Sequence, residues 1–231
     1  MQKDPRIKTW DFKKNQDATV LLTSALGLLA AVVVLMFPNW LTLLLLLAAL
    51  VIWGIVQHFF RDPDREVVRE PGMVVGPADG VVVAIEQVFD NKHLRAEVIR
   101  ISMFLSVWDV HVQRVPLRGK VLEVEFKPGK YLRAVLPDAS EVNEYIAMTL
   151  ETDYGRVCVK QISGIMARKC VNFAQPGDFL ETGIRYGLIK FGSRVDLFLP
   201  PDAEVLVKVG DKVQGGLTRM ANLSRGIDEV V

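Results

Sequence analysis

The Gly192-Ser193 pair is the part of the sequence best suited to chemistry on the chain itself. It lies between an apolar run and a strand-like run. There the serine hydroxyl can attack the carbonyl carbon of Gly192 and convert the amide into an ester. β-Elimination then releases the upstream chain and leaves dehydroalanine, which hydrolyses to a pyruvoyl group, a ketone able to accept electrons. Most Gly-Ser pairs are ordinary turns, so the neighbouring residues must support this interpretation.

Two further residues could activate the serine. Asp79 lies on an Asp-Gly turn before a strand-like run, and His111 is the only histidine inside such a run. Serine activation needs a base with a near-neutral pKa and a carboxylate to orient it. Each residue also has an ordinary interpretation, as a simple turn or as a histidine packed in a core. Taken together, Asp79, His111 and Ser193 are predicted to be catalytic.

The segments that carry these residues are short, rich in β-branched residues and separated by Gly and Pro, as strands are. Strands are predicted at 81–85, 97–101, 120–126, 156–162, 195–199 and 204–209. Only 139–148 indicates a short helix. The sequence therefore predicts a compact, mainly β catalytic domain (α+β at most) over 61–231, and leaves barrel and sandwich architectures open.

Residues 18–60 contain no Asp, Glu, Lys or Arg, and a Pro-Asn turn divides them into 18–37 and 40–60. Each half is long enough to span a bilayer as a helix. Basic residues flank both ends and none lies in the turn, which predicts that both ends are cytoplasmic. We therefore expect a basic cytoplasmic N-terminus (1–17), a membrane hairpin, and a catalytic domain on the cytoplasmic side of the cell membrane. A hairpin that lies in one leaflet is the alternative.

Composition argues against several other functions. The charges of 61–231 nearly balance and form no basic block, so no nucleic-acid partner is expected. Cys158 and Cys170 form no Cys-x-x-Cys pair, which argues against a disulfide framework or a cysteine zinc site. We expect buried free thiols and no metal.

The chain resembles, over most of its length, the short bacterial and archaeal form of phosphatidylserine decarboxylase. The resemblance rests on the apolar hairpin and on the segments 77–80, 109–116, 143–144, 161–164 with Arg168, and 191–196. It implies a proenzyme that cuts itself between Gly192 and Ser193. The products would be a β chain of residues 1–192 and an α chain of residues 193–231, which begins with a pyruvoyl cofactor made from Ser193.

The resemblance also implies that phosphatidylserine of the bilayer is decarboxylated to phosphatidylethanolamine and CO2 through a Schiff base between pyruvoyl and substrate. His111 is expected to return a proton to the product. Arg114, Arg118 and Arg168 are candidates for binding the phosphodiester; each could equally be a surface charge.

One departure from the family pattern concerns the histidine segment. Longer members carry a second histidine where this chain has Arg114. Whether His111 serves both self-cleavage and decarboxylation is therefore open, with Asp79 or Asp109 as alternatives. The number of copies, including a homo-oligomer, is open as well.

Two other functions fit part of the sequence. A non-enzymatic scaffold, built as a membrane-anchored β domain, would explain the hairpin and the strands but not the histidine and Gly-Ser segments. A pyruvoyl decarboxylase of a soluble amino acid would explain those segments, but a soluble substrate needs no membrane anchor.

Overall fold

The computed structural model describes residues 9–67, 69–136, 138–165, 169–190 and 193–224, and for 9–18, Lys169 and Lys190 only the backbone. The chain divides into two compact units. One comprises Lys8–Asp62 and the other contains Pro63–Val231. Each unit is described separately below.

The first unit is a pair of helices, α1 (Thr9–Met36) and α2 (Trp40–Phe59). Asn39 starts α2 with a capping box, since its side chain accepts two backbone N–H groups of the first turn at 3.0 and 3.1 Å while its own N–H donates to the Thr42 hydroxyl. Both helices are long and apolar enough to cross a membrane. α1 begins before the uncharged stretch does, because Lys, Gln and similar residues also favour helix.

The second unit is rich in strands. Their bounds are β1 (Met73–Val75), β2 (Gly80–Asp90), β3 (Ala96–Leu105), β4 (Val112–Arg114), β5 (Gly119–Lys127), β6 (Tyr145–Thr152), β7 (Gly155–Ile162), β8 (Lys169–Asn172), β9 (Phe179–Leu180), β10 (Arg185–Lys190), β11 (Ser193–Leu199), β12 (Glu204–Val205), β13 (Lys212–Val213) and β14 (Arg219–Asn222). A short helix, α3 (Ala139–Val142), precedes β6.

Eight of these strands form one curled antiparallel sheet in the order β13-β2-β3-β11-β7-β6-β5-β9. Two three-stranded sheets, β4-β10-β8 and β1-β14-β12, accompany it. The large sheet is a half-barrel rather than a flat layer. The predicted mainly β domain with an apolar helix pair is therefore confirmed.

Strand β11 lies inside the large sheet, hydrogen-bonded to β3 on one side and to β7 on the other. All seven of its residues are buried. Side chains alternate along a strand, so Val195 and its alternate neighbours enter the main core, whereas Phe198 packs in a second, smaller cluster on the opposite face. β11 is therefore buried on both of its faces.

Candidate active site

Ser193 is the first residue of β11 and is fully buried. It pairs with Leu105, the last residue of β3. Alternation places its side chain on the same face as Val195, toward the main core. Its Oγ has no hydrogen-bond partner among the residues that the structure describes. Phe191 and Gly192, and with them the predicted cleavage bond, lie outside the described residues.

The loop from β3 to β4 runs from Leu105, the register partner of Ser193, to His111. It starts just after Leu105, where Asp109 accepts hydrogen bonds from the N–H and the hydroxyl of Ser106 at 2.8 and 2.7 Å. It ends at His111, whose backbone oxygen accepts the N–H of Ile189 at 3.1 Å. Ile189 and Ser193 lie on either side of the predicted cleavage bond. The end of β3 and the loop that follows it therefore contact the chain on both sides of that bond.

The tautomer of His111 follows from its contact with the loop. The ring is buried, and its Nδ1 lies 2.9 Å from the backbone oxygen of Asp109. A carbonyl oxygen can only accept a hydrogen bond, so Nδ1 carries the proton. In the neutral ring, Nε2 is then the basic nitrogen. This is the form that a general base requires, and Asp109 sets it through its backbone, not its carboxylate.

Two buried glutamines, not singled out from the sequence, connect His111 to the sheet. Gln113 donates from Nε2 to the backbone oxygen of His111 at 2.8 Å, and Gln161 donates from Nε2 to Oε1 of Gln113 at 2.9 Å. Gln161 is in register with Val195, two residues after Ser193. These amides hold the histidine loop against the strands beside the serine.

Asp79 is buried, and its contacts described here are with Arg65 and Gly215. Arg65 binds both carboxylate oxygens, at 2.6 and 2.7 Å, and the backbone N–H of Gly215 donates to the same carboxylate at 2.8 Å. A bidentate arginine pair is a strong charge-assisted contact. The geometry identifies Asp79 as an anchor between distant parts of the chain; its predicted catalytic role stays a prediction.

A second buried ion pair lies on β11 itself. Arg194 and Asp196 are two residues apart and share one face of the strand, with Nε and Oδ1 2.6 Å apart. Arg194 also donates to the hydroxyl of Ser102 at 2.8 Å, and Ser140 donates to Asp196 at 2.9 Å. The pair fixes the strand from the side opposite to that of Ser193. The sequence motif contained both residues but gave no sign that they pair.

The three predicted phosphodiester-binding arginines differ in their surroundings. Arg114 is buried and donates to the backbone oxygens of Gly183 and Pro63 at 3.1 and 2.9 Å. Arg118 is exposed and pairs with Asp153 at 2.7 Å, which raises the pKa of its guanidinium. Arg168 lies outside the described residues. Their role in substrate binding stays a prediction.

An apolar cavity of about 280 Å³ lies beside the start of β11. It is lined by Phe104, Ser106, Val107, Arg133, Ala134, Val135 and Ile165. Phe104 is in register with Arg194, so the cavity adjoins the start of the strand on the face that carries the Arg194 side chain. Among the described lining residues Arg133 is the charged one, and sequence reasoning missed it because nothing in its local pattern marks it.

Asn143 holds the loop that forms one wall of this cavity. Its side chain accepts the N–H of Leu132 at 2.9 Å and donates to the backbone oxygens of Leu132 and Ser163 at 2.9 and 2.8 Å. Asn143 is fully buried. One amide thus ties the loop that carries Arg133 to the end of β7.

Neither cysteine is placed to act as a nucleophile. Cys158 and Cys170 are both buried and unbridged. Burial raises the pKa of the Cys158 thiol to about 12 and also raises that of Cys170. Among the described residues, no group of three or more His, Cys, Asp or Glu side chains is arranged to hold a metal ion.

These features define a β-rich enzyme domain in which a buried serine begins a central strand and a buried histidine is held nearby by the preceding loop. Comparison with known proteins also indicates an enzyme. The family model for phosphatidylserine decarboxylase matches residues 54–221. The phosphatidylserine decarboxylase proenzyme of Symbiobacterium thermophilum is 43% identical over 198 residues, 85% of this chain and 91% of that protein.

Further relatives extend the match. The proenzyme of Syntrophotalea carbinolica is 39% identical over 207 residues, 89% of this chain and 96% of that protein. That of Saccharopolyspora erythraea is 46% identical over 171 residues, 72% of each chain. The chain belongs to the phosphatidylserine decarboxylase family, whose members are carboxy-lyases.

Proposed function

We propose that this chain is a proenzyme that cuts itself between Gly192 and Ser193 and then decarboxylates phosphatidylserine to phosphatidylethanolamine. The observation that carries the proposal is the buried Ser193 hydroxyl, which lacks a hydrogen-bond partner among the described residues. Leaving a buried polar group unpaired costs about 1–3 kcal/mol. A role in chemistry accounts for a serine at a position where alanine would be more stable.

The proposed self-cleavage uses residues of the chain alone. His111, with its proton on Nδ1, takes the Ser193 hydroxyl proton at Nε2 as Oγ attacks the Gly192 carbonyl carbon. The C–N bond breaks and an ester forms, with the proton passing to the new amine. Loss of the Ser193 Cα proton then expels the Gly192 carboxylate and leaves dehydroalanine. Water converts this to a pyruvoyl group and ammonia, so the serine residue supplies the cofactor.

The site fits a pyruvoyl group, because the side chain of Ser193 is buried and no residue in the described part of the chain forms a hydrogen bond with its oxygen. When present, the pyruvoyl ketone supplies the electron sink for loss of CO2. The residues of the chain contribute binding and proton transfer. Protonated His111 returns a proton from Nε2 to the substrate carbon that has lost CO2. The apolar cavity adjoins the start of β11, and Arg133 in its lining is a candidate for the lipid phosphate.

The helix pair supports a membrane substrate. We propose that residues 18–60 form a membrane hairpin whose two ends, and the catalytic domain of 61–231, are on the cytoplasmic side. Basic residues flank the apolar segments on both sides. To test this, Asn39 at the turn is changed to Cys in intact cells. We expect labelling by a membrane-impermeant thiol reagent from outside; protection there combined with labelling in inverted vesicles would indicate a one-leaflet hairpin.

The first experiment is the intact mass of the purified, denatured protein. We expect two chains that break between Gly192 and Ser193, the smaller one blocked by pyruvoyl and reactive toward hydroxylamine. Ser193→Ala should give a single chain of 25.8 kDa without activity, and Ser224→Ala, at an exposed serine, should be cut normally. A wild-type protein that stays one chain, or a Ser193→Ala protein that is cut, would contradict the proposal and favour the scaffold function.

A second experiment addresses the substrate. CO2 release from phosphatidylserine in mixed micelles is compared with release from free serine. Arg133→Gln should raise KM for the lipid while self-cleavage proceeds, and Arg156→Gln, at an exposed arginine away from the cavity, serves as control. Equal rates on free serine would indicate the soluble amino acid alternative. An unchanged KM would remove Arg133 from the lipid site.

A further inference from the structure

A second cavity of about 170 Å³ lies near the turn between β2 and β3, away from Ser193. Arg100 on β3 is one of its lining residues and lies five residues before Leu105, the partner of Ser193. At about 3.4 Å per residue, the two positions are about 17 Å apart along the strand. The cavity is smaller than the roughly 300–1,000 Å³ of typical organic-ligand pockets. It has room for a small ion but not for a nucleotide or a whole lipid.

Buried nitrogen atoms line this second cavity. Lys160 is only 3% exposed; its ammonium donates to the Ser140 hydroxyl at 3.4 Å and lies 4.1 Å from the centre of the Tyr145 ring. No carboxylate among the described residues lies within 4 Å of that ammonium. The side chain of His93 is 4% exposed, and its Nε2 has no hydrogen-bond partner in the described chain. Nε of Arg100 is buried without a partner as well.

The nearby carboxylates are engaged elsewhere. Asp90 accepts backbone N–H groups of the turn from Lys92, His93 and Leu94 at 3.3, 3.1 and 2.7 Å. Glu141 is largely exposed and lies 3.7 Å from Lys92 at the rim. The partners of Arg100 and His93, Glu86 and Glu125, are 49% and 38% exposed, so water screens their charge. The buried atoms left without partners around the cavity are nitrogens.

We propose that this cavity binds a small tetrahedral oxyanion of the phosphate class, either free phosphate or the phosphate group of a membrane lipid. Lys160 and Arg100 present N–H donors from two strands, and Nε2 of His93 adds a third donor when its ring is protonated, so a ligand with several acceptor oxygens fits the cavity. Water accepts at most two, whereas a phosphate oxyanion accepts from Lys160, His93 and Arg100 together. A bound oxyanion also adds a negative charge beside the ammonium, whose burial the charges of Glu141 and Asp196 do not offset.

The titration of the two buried groups agrees with this geometry. Burial lowers the pKa of Lys160 and of His93 from their usual values, and the attraction of nearby carboxylates does not offset it. An anion in the cavity would favour the charged form of both groups. Binding of phosphate is therefore expected to raise the pKa of both groups.

The second cavity is connected to the strand that carries Ser193. Lys160 donates to Ser140, and Ser140 donates to Asp196, which holds Arg194 beside the serine. An anion bound in the cavity would hold Lys160, the first residue in this series of hydrogen bonds, in one position. The anion site can therefore stabilise β11 without touching the candidate active site.

The experiment is a titration of inorganic phosphate into the purified full-length protein in a phosphate-free buffer at constant ionic strength. We expect saturable broadening of the 31P signal and a rise in Tm that chloride does not produce. Lys160→Met should weaken binding by about tenfold or more, in keeping with loss of a buried charge-assisted contact. The matched control is Lys120→Met, at an exposed lysine of strand β5, which is separated from the strand of Lys160 by β6; it should bind as the wild type does.

A second variant and a competition measurement complete the test. Arg100→Gln, at the rim, replaces Lys160→Met if that variant does not fold by circular dichroism, and it should also weaken binding. Short-chain phosphatidic acid below its micelle concentration then competes with phosphate if the natural ligand is a lipid phosphate, and fails to compete if it is the free ion. Absence of saturable binding to the wild type, or equal binding by all variants, would overturn the proposal.

Discussion

The buried pair of Arg65 and Asp79 allows a quantitative test of what Asp79 does. Their side chains are 6% and 10% exposed, and two hydrogen bonds of 2.6 and 2.7 Å join them. Asp79→Ala leaves the Arg65 guanidinium buried without its counter-charge. Breaking a buried pair in this way costs about 3–5 kcal/mol. With a urea dependence of about 2 kcal/mol per M, the unfolding midpoint should fall by about 2 M.

The assay is urea unfolding of the full-length protein in detergent, with the folded fraction measured by pulse proteolysis. Every protein carries Ser193→Ala, so that all are single chains. Asp153→Ala is the matched control, because the Arg118–Asp153 contact is also 2.7 Å long but its side chains are 55% and 48% exposed. An exposed pair contributes little, so its midpoint should hardly move. An Asp79→Ala midpoint that falls no further than that of the control would refute the reasoning.

The same residue can be tested for chemistry apart from stability. Asp79→Asn keeps an oxygen for the N–H of Gly215 but removes the charge. Without Ser193→Ala, its self-cleavage is followed under conditions where it is fully folded. Normal cleavage would make Asp79 an anchor only, and slowed cleavage by a folded protein would support the predicted catalytic role.

Three further outcomes are expected. Gly187→Ala would place a Cβ 2.5 Å from the backbone oxygen of Val171 and 2.7 Å from Nε2 of Gln161, so both the pairing of β10 with β8 and the Gln161 side chain must shift. The precursor should therefore be cut more slowly, as seen on gels over time, and an unchanged rate would show that these contacts do not position the site. Cys158 and Cys170 should resist a thiol reagent at pH 8 until the protein is denatured, because burial raises their pKa values; fast reaction in the native state would contradict the structure. Burial lowers the pKa of His93, so the unfolded state binds more protons and stability should fall as pH drops below about 6.5 in phosphate-free buffer. His93→Gln should flatten that slope, and an unchanged slope would show that His93 does not cause it.

The strands were predictable where one face is buried and the other exposed. β5 shows this alternation and was predicted almost to its ends, at 120–126 against Gly119–Lys127. β6 was missed, and the predicted helix 139–148 was wrong beyond Val142, because Tyr145–Leu150 is buried on both faces and shows no period of two. Beyond Val205 the predicted strand gives way to a turn, where Asp211 accepts the N–H of Lys208.

The candidate site was predictable only as separate segments. Ser193 and His111 could be selected because each residue type has a chemistry of its own. Their supporting contacts could not, because these join residues that are distant along the chain. Gln113 and Gln161 are 48 positions apart, and Asp79 and Gly215 are 136 apart. Such pairs depend on strand order, which local pattern does not encode.

The central position of β11 has a consequence for how the mature protein can be handled. A cut before Ser193 would leave β11 on the smaller chain and both of its neighbours, β3 and β7, on the larger one. The smaller chain would also keep β14, which pairs with β1 of the larger. Before the cut, folding is a unimolecular reaction. Afterwards, recovery from denaturation requires two chains to meet, so its rate depends on protein concentration and dilution favours irreversible loss. The sheet would therefore have to form before the chain is cut, because the two separate chains can no longer fold in a unimolecular reaction.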